Sequence, residues 1–243
     1  MAKLGVLAIN YTGGGEPTLH PSFDSFSSRA SHFGIKQGLF TNAISRGHPA
    51  NPKLFEWIRI SLTDKYIEAI DPLLIANYIQ HTTVGISLNV TPENIDRAEE
   101  LCKQARDLGV HYFQVRPALV NNYKQQPDID IPYYLQDYET KDFKVYLSEY
   151  KFAECRKPKT YTQCYAGHFT PVIDYNGNVR VCNYHMKEDE YIIGNLKNNS
   201  FSSIINSIPL SLPVNNTCLT CCKNHEINKT LNAIREIKHP EFI

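Results

Sequence analysis

Short runs of β-branched and aromatic residues alternate with longer mixed stretches along the first half of the chain. These runs predict strands, at residues 6–11, 35–41, 57–62, 84–90 and 112–119. The stretches between them are long enough for helices. Such alternation indicates a parallel sheet covered by helices, either doubly wound or curled toward a barrel.

The clearest helical pattern covers residues 92–108. Thr91 suits the N-cap, Pro92 the first helical position and Gly109 the C-terminal stop. Apolar residues recur at helical spacing along one face, namely Ile95, Ala98, Leu101, Cys102, Ala105 and Leu108. We therefore expect Cys102 to be a buried core thiol rather than a ligand or a nucleophile.

The alternation stops near residue 121, and residues 121–160 predict a bridging segment with one strand-like run at 144–152. Beyond it, runs at 169–174 and 179–182 flank an Asn-Gly pair, which is a strong hairpin signal. Helices are predicted at residues 201–208 and 226–238.

Charge and composition narrow the class of protein. The 243 residues contain 25 basic and 25 acidic side chains, and the basic ones are scattered, which argues against binding to nucleic acid or to a membrane surface. Lys3 precedes only a short apolar run, so neither a signal peptide nor a membrane span is visible and we expect a cytoplasmic protein. Seven cysteines in such a chain indicate thiols or metal ligands rather than disulfides.

A glycine-rich loop, Thr12-Gly13-Gly14-Gly15-Glu16-Pro17-Thr18, follows the first predicted strand. Its glycines let a ligand lie against bare backbone, and Glu16 can accept hydrogen bonds from a ligand ammonium group. Pro17 restricts the backbone where the loop ends. A simple tight turn is the alternative for any isolated glycine pair. A phosphate cradle is a poorer alternative, because it requires a helix that opens at the glycines and because Glu16 repels phosphate.

Five cysteines of the second half predict a metal centre. Cys164 and Cys182 bracket the hairpin, so its turn brings both thiols to one end of the ribbon. A Cys-x-x-Cys-Cys sequence follows, and we favour Cys218 and Cys221 over Cys222 as ligands because of the two-residue gap. Four sulfurs suit zinc or an iron–sulfur cluster about equally, and a zinc ribbon remains open. The remaining candidates are the spare Cys155 and three histidines that could replace a sulfur, His168, His185 and His225.

Two of these motifs carry a resemblance that covers nearly the whole chain. Thr-Gly-Gly-Gly-Glu-Pro-Thr resembles the second-strand motif of radical S-adenosylmethionine (SAM) enzymes, in which Gly-Gly-Glu-Pro holds the methionine amino group of the cofactor. Cys164 and Cys182 with Gly177 between them, followed by Cys-x-x-Cys, are similar to the SPASM and twitch extensions of that family. Ile227 stands where a further cysteine is expected, which points to the shorter twitch form with one auxiliary cluster.

The resemblance implies an α/β fold: a partial parallel (β/α) barrel of the radical SAM type that lacks its first strand, then a small α+β cluster-binding domain with a β-hairpin. The domains are expected at residues 1–120, 121–160 (the bridge) and 161–243. The implied cofactor-binding residues are Gly14, Gly15, Glu16, Pro17, Thr41, Asn42, Ser61, Asn89 and Arg116, and the implied ligands of a [4Fe-4S] auxiliary cluster are Cys164, Cys182, Cys218 and Cys221.

The family's Cys-x3-Cys-x2-Cys motif is absent, since the first cysteine is Cys102. We therefore expect an N-terminally truncated chain that is inactive as written, with a second [4Fe-4S] cluster only if a missing segment precedes it. In the complete enzyme, the resemblance implies a 5′-deoxyadenosyl radical that abstracts hydrogen, a peptide or protein substrate, and a reductant such as flavodoxin or ferredoxin. The alternative is a non-catalytic zinc- or iron–sulfur-binding module that acts through a partner.

Overall fold

A computed structural model describes residues 1–13, 15–43, 50–62, 70–120, 122–215, 218–219 and 221–239. The chain forms two compact units. The first, called the sheet unit, comprises Ala2–Ala118 and Pro127–Phe152. The second, called the cysteine unit, comprises Leu119–Gln126 and Ala153–Ile243, together with Met1.

Within the described residues, the sheet unit contains one six-stranded sheet whose strands follow one another in chain order and are all parallel. The strands are β1 (Ala8–Tyr11), β2 (Lys36–Thr41), β3 (Trp57–Leu62), β4 (Thr83–Val90), β5 (Tyr112–Pro117) and β6 (Lys144–Leu147). The α-helices among these residues are α1 (Phe23–His32), α2 (Pro72–Ile79), α3 (Ala98–Asp107) and α4 (Glu149–Glu154). All five predicted strands are confirmed.

The sixth strand comes from the stretch that was expected to be a bridge. β6 pairs with β5, with Val145 opposite Phe113, and both side chains lie in the core. The predicted strand-like run 144–152 therefore divides into β6 and α4. Local composition does not distinguish a bridging strand from a sheet edge, because the difference depends on whether a neighbouring strand offers free backbone groups.

The two faces of this sheet differ in character. One face is apolar and fully buried, with Leu39, Ile58, Ile60, Ile86, Leu88 and Val115 all at 0% exposure. The alternate positions form what we call the polar face, which carries Asn10, Phe40, Trp57, Arg59, Ser61, Ser87, Asn89, Tyr112, Gln114, Arg116 and Tyr146. The helices therefore need to cover only the apolar face.

The start of the helix predicted over 92–108 is the main local difference. A turn and a short 3-10 helix, Ile95–Arg97, precede α3. Thr91 Oγ1 accepts from the Glu93 amide at 3.3 Å, and Asn94 Oδ1 accepts from the Thr91 amide at 2.8 Å, so these side chains satisfy backbone groups outside the α-helix. Cys102 is fully buried as predicted, and burial raises the pKa of its thiol to about 12.

The cysteine unit is built from short elements. Its strands are β7 (Gln163–Cys164), β8 (Val172–Ile173), β9 (Asn178–Arg180), β10 (Ile192–Asn195) and β11 (Leu212–Pro213), and its helices are α5 (Ala166–Phe169), α6 (Phe201–Asn206) and α7 (His225–Glu236). β8 and β9 form the predicted antiparallel hairpin, and Gly177 in its turn has φ +83°. The run predicted from 169 begins at the end of α5, so β8 is shorter than expected.

Short 3-10 helices complete the description, at Ala2–Leu4, Pro17–Leu19, Pro52–Leu54, Tyr123–Gln125, Tyr133–Tyr138 and Asp189–Tyr191. Among the residues that the structure describes, no helix combines the length and the hydropathy that a membrane crossing requires.

Candidate active site and metal centre

Glu16 joins the glycine-rich loop to the end of β2. Its Oε1 accepts from the Thr18 amide (3.1 Å), the Thr18 hydroxyl (2.8 Å) and the Thr41 hydroxyl (2.8 Å), and its Oε2 accepts from the Asn42 amide (2.7 Å). The carboxylate also caps the 3-10 helix that begins at Pro17. The side chain that was expected to face a ligand ammonium thus already accepts four hydrogen bonds, and Oε2 keeps the greater remaining capacity.

The other residues proposed for cofactor binding lie at the carboxyl ends of β2 to β5. Parallel strands place these ends along one edge of the sheet, where ligands of such sheets commonly bind. Asn89 and Arg116 are paired in register, and Arg116 Nε donates to Asn89 Oδ1 at 2.6 Å. Ser61 lies on β3 in register with Ser87.

The structure thus brings the candidates together as two groups, Glu16 with Thr41 and Asn42, and Asn89 with Arg116, while Ser61 is on the strand between them. Gly15 has no heavy atom within 4 Å of the position that a Cβ would take, which leaves the backbone accessible as predicted for this loop. Gly14 lies outside the described residues.

Four thiols line one cavity in the cysteine unit. The cavity has a volume of about 40 Å³, and its sulfur-bearing residues are Cys164, Cys182, Cys218 and Cys222. Cys221, which was the predicted fourth ligand, is instead 1% exposed and packs in an apolar cluster with Cys155 and Leu219. Adjacent residues of a turn point in different directions, so only one of Cys221 and Cys222 can face the cavity, and here it is Cys222.

Each of the four cavity sulfurs has a nitrogen atom at hydrogen-bonding distance. The pairs are Asn228 Nδ2 with Cys164 Sγ (3.6 Å), the Tyr184 amide with Cys182 Sγ (3.3 Å), His185 Nε2 with Cys218 Sγ (3.3 Å) and Lys159 Nζ with Cys222 Sγ (3.2 Å). Such outer partners orient metal-bound thiolates and stabilise their charge. The donor set suits zinc or an iron–sulfur cluster. Among the residues that the structure describes, no three His, Cys, Asp or Glu side chains are placed to hold one metal ion.

The electrostatics of the cavity favour neutral thiols when no metal is bound. Burial raises the pKa of the Cys182 thiol, and it raises that of Cys218 to about 11. Burial lowers the pKa of Lys159, but the Cys222 thiolate and the Tyr161 hydroxyl outweigh it, so the net shift is upward. Metal binding must therefore release protons from the thiols, and Lys159 supplies a positive charge beside one of the resulting thiolates.

Two asparagines of α7 hold the backbone on both sides of Cys164. Asn228 Oδ1 accepts from the Tyr165 amide at 2.7 Å. Asn232 Oδ1 accepts from the Gln163 amide at 3.1 Å, and its Nδ2 donates to the Gln163 carbonyl at 2.7 Å. Sequence reasoning missed these residues, although two asparagines four positions apart on an amphipathic helix are a signal that could have drawn attention to them.

Of the three histidines considered as sulfur replacements, His185 lines the cavity. Its ring lies flat against Tyr191, with 4.4 Å between centroids, and its Nδ1 is held by the Glu188 carboxylate. His168 Nε2 instead lies 3.0 Å from the Pro209 carbonyl, and His225 Nδ1 lies 3.3 Å from the Tyr161 hydroxyl. A histidine whose second nitrogen contacts a carboxylate has the geometry of a fixed tautomer next to a metal centre.

Comparisons with known proteins agree with this division. Residues 164–224 match SPASM, an iron-sulfur cluster-binding domain. Streptococcus suis SuiB bound to S-adenosylmethionine has a similar structure, with a TM-score of 0.60 and 16% identity over 86% of this chain and 56% of that chain. SuiB bound to the precursor peptide SuiA gives 0.57 and 15% over 84% and 54%, and anSMEcpe with bound AdoMet gives 0.54 and 13% over 96% and 69%.

The chain thus spans about half the length of SuiB. At these identities the likeness concerns the fold, and it confirms the predicted α/β class with an additional small domain. No curated protein sequence matches the chain.

Proposed function

We propose, from a chain that has the fold of radical SAM enzymes and carries a SPASM iron–sulfur domain, that it acts in radical SAM chemistry and holds an auxiliary [4Fe-4S] cluster of the twitch form. One observation carries this proposal: four thiols line a single cavity within the segment that matches the iron–sulfur domain. The ligand set that this supports is Cys164, Cys182, Cys218 and Cys222, with Cys222 in place of Cys221.

The sheet unit would supply the SAM site. When bound beside a reducing [4Fe-4S] cluster, SAM supplies a 5′-deoxyadenosyl radical that abstracts hydrogen from a substrate. In this chain, Glu16 holds the glycine-rich loop against Thr41 and Asn42, so the bare backbone at Gly15 is kept next to the ends of the strands. Arg116 presents a guanidinium group for the cofactor carboxylate, and Asn89 orients it.

A peptide or protein is the proposed substrate class, and a reductant protein such as flavodoxin or ferredoxin is the proposed electron source. The similarity of this fold to SuiB, which was crystallised with a precursor peptide, supports a peptide. A second candidate function is a non-catalytic metal-binding module, which is favoured by the suitability of four sulfurs for zinc as well as for iron.

The test compares two adjacent cysteines after anaerobic reconstitution of the chain with iron and sulfide. We expect about four irons per chain, and Cys222→Ser should lose most of them. Cys221→Ser is the matched control, because it removes the same group one residue away, and it should keep the cluster. Purified protein that carries zinc and no iron would support the module instead. Equal iron loss in both variants would remove Cys222 from the ligand set.

A further inference from the structure

The strands of the sheet unit carry positive charge without any counter-charge of their own. None of the residues in β1 to β6 is Asp or Glu. The basic residues of these strands lie on the polar face, at Lys36, Arg59, Arg116 and Lys144. A face with this charge attracts an anionic ligand.

Arg59 is the central cation of this face, and three aromatic rings surround it. Its guanidinium carbon lies 5.2 Å from the centroid of Phe40, 5.3 Å from that of Trp57 and 5.4 Å from that of Tyr112. Nε donates to the Tyr112 hydroxyl at 3.0 Å. Nη1 and Nη2 make no hydrogen bond to the residues that the structure describes. Contact with the rings uses the flat faces of the guanidinium group, so the donors at its edge remain available.

Two glycines make this aromatic cage possible. A Cβ at Gly38 would come within 2.2 Å of the Trp57 ring, and a Cβ at Gly85 would come within 2.0 Å of the Tyr112 ring. Both rings therefore lie over neighbouring strands where side chains are missing. Arg59 is held in place before any ligand arrives, which reduces the entropy cost of binding to it.

We propose that Arg59 binds a carboxylate of the peptide substrate, an inference that rests on the proposed function. The planar guanidinium edge matches a carboxylate with two parallel hydrogen bonds. Arg59 lies two residues before Ser61 on the same face of β3, which places it about 7 Å along the strand from the proposed cofactor edge. Arg116, the other arginine of this face, is already engaged by Asn89. A peptide anchored at Arg59 through an acidic residue would present its neighbouring residues to the cofactor.

The only tryptophan of the chain, Trp57, makes this site directly observable. Its fluorescence would be followed while the full chain is titrated with a blocked alanine–glutamate–alanine tripeptide, and then with the alanine–glutamine–alanine analogue. We expect a saturable change with the glutamate peptide and binding about tenfold weaker or more with the glutamine peptide. Arg59→Gln should lose the preference. Arg29→Gln is the matched control, because Arg29 also lies over an aromatic ring, 5.6 Å from the Phe33 centroid, but on α1.

Several results would overturn the inference. Equal binding of the two peptides would do so, and so would an unchanged preference in Arg59→Gln, or an equal response to inorganic phosphate, which would mean a general anion site. If Arg59→Gln does not fold by circular dichroism, Arg59→Lys decides, since it keeps the charge but loses the planar edge and should bind the glutamate peptide more weakly. A chain that holds four irons but shows no peptide preference would refute this inference alone, whereas a chain without iron would refute the proposed cluster and leave the fluorescence result standing.

Discussion

The sheet unit and the cysteine unit bury different kinds of side chain. In the sheet unit, Ile58, Ile60, Ile86 and Leu88 from adjacent strands are all at 0% exposure and form one continuous apolar core. In the cysteine unit, the buried residues include Asn228 at 0%, His185 at 3% and Arg180 at 6%. Apolar burial stabilises a fold without specific partners, whereas buried polar groups are stabilising only when each is hydrogen-bonded.

This difference also separates the two candidate sites. The sheet site is assembled by topology, because parallel strands bring their carboxyl ends to one edge whatever the loops contain. The cavity thiols come from β7, from the residues after β9 and from the segment before α7, so their convergence depends on individual hydrogen bonds such as those of Asn228 and His185. We therefore expect the cysteine unit to depend far more on its metal than the sheet unit does.

Metal removal should produce the largest effect and is the most direct way to break this comparison. Structural metal sites contribute roughly 10 kcal/mol or more to the folding of small domains. Chelation of the reconstituted chain should therefore abolish the protection of backbone amides in β7 to β11 and α7, as measured by hydrogen exchange. Amides of β2 to β5 should keep their protection. Equal loss in both units would mean that the sheet also requires the metal.

Leu88→Ala should give the opposite pattern. Leu88 is fully buried in β4, and removing its side chain leaves a cavity that costs about 2–5 kcal/mol. Thermal unfolding of the sheet unit should shift downward while the iron content of the chain stays unchanged. Leu73→Ala, in which the residue is 79% exposed, is the control and should have little effect. Iron loss in Leu88→Ala would show that the two units do not fold independently.

Asn232→Ala should have a smaller effect that is confined to the cysteine unit. It removes both hydrogen bonds that hold the Gln163 backbone next to Cys164 and leaves those groups without that partner, at a cost of about 1–3 kcal/mol. We expect faster iron release to a chelator, measured by absorbance, with unchanged unfolding of the sheet unit. Lys229→Ala, at an exposed position of the same helix, should release iron at the wild-type rate.

The smallest effect concerns acid stability of the hairpin. Burial raises the pKa of Asp174, but hydrogen bonds from Arg180 and Asn178 outweigh it and hold that pKa below its ordinary value. A carboxylate with a lowered folded pKa contributes stability above its unfolded pKa of about 3.9, and this contribution is lost as pH falls through the folded pKa. Melting temperatures should therefore drop below about pH 4 in the wild type, and Asp174→Asn should be less stable at pH 7 but show a smaller drop.

Particular elements show how far sequence reasoning reached. The apolar runs of β1 to β5 were predictable because burial of a strand requires a local run of apolar residues. The hairpin was predictable because Asn-Gly supplies the positive φ that its turn needs, as Gly177 does. β6 was missed as a sheet strand because its residues resemble those of any short extended segment, and the start of α3 was misplaced because the side chains of Thr91 and Asn94 compete with the helix for backbone groups.

By itself, the sequence determined the class of fold, the set of cysteines from which metal ligands must come and the loop that carries Glu16, because these depend on spacing and on local periodicity. Only the tertiary structure decided that Cys222 faces the cavity and Cys221 the apolar cluster with Leu219. It also decided that Arg59 lies among three aromatic rings. Neighbouring residues share the same local sequence, so the direction of each side chain is set by what packs against it from distant parts of the chain.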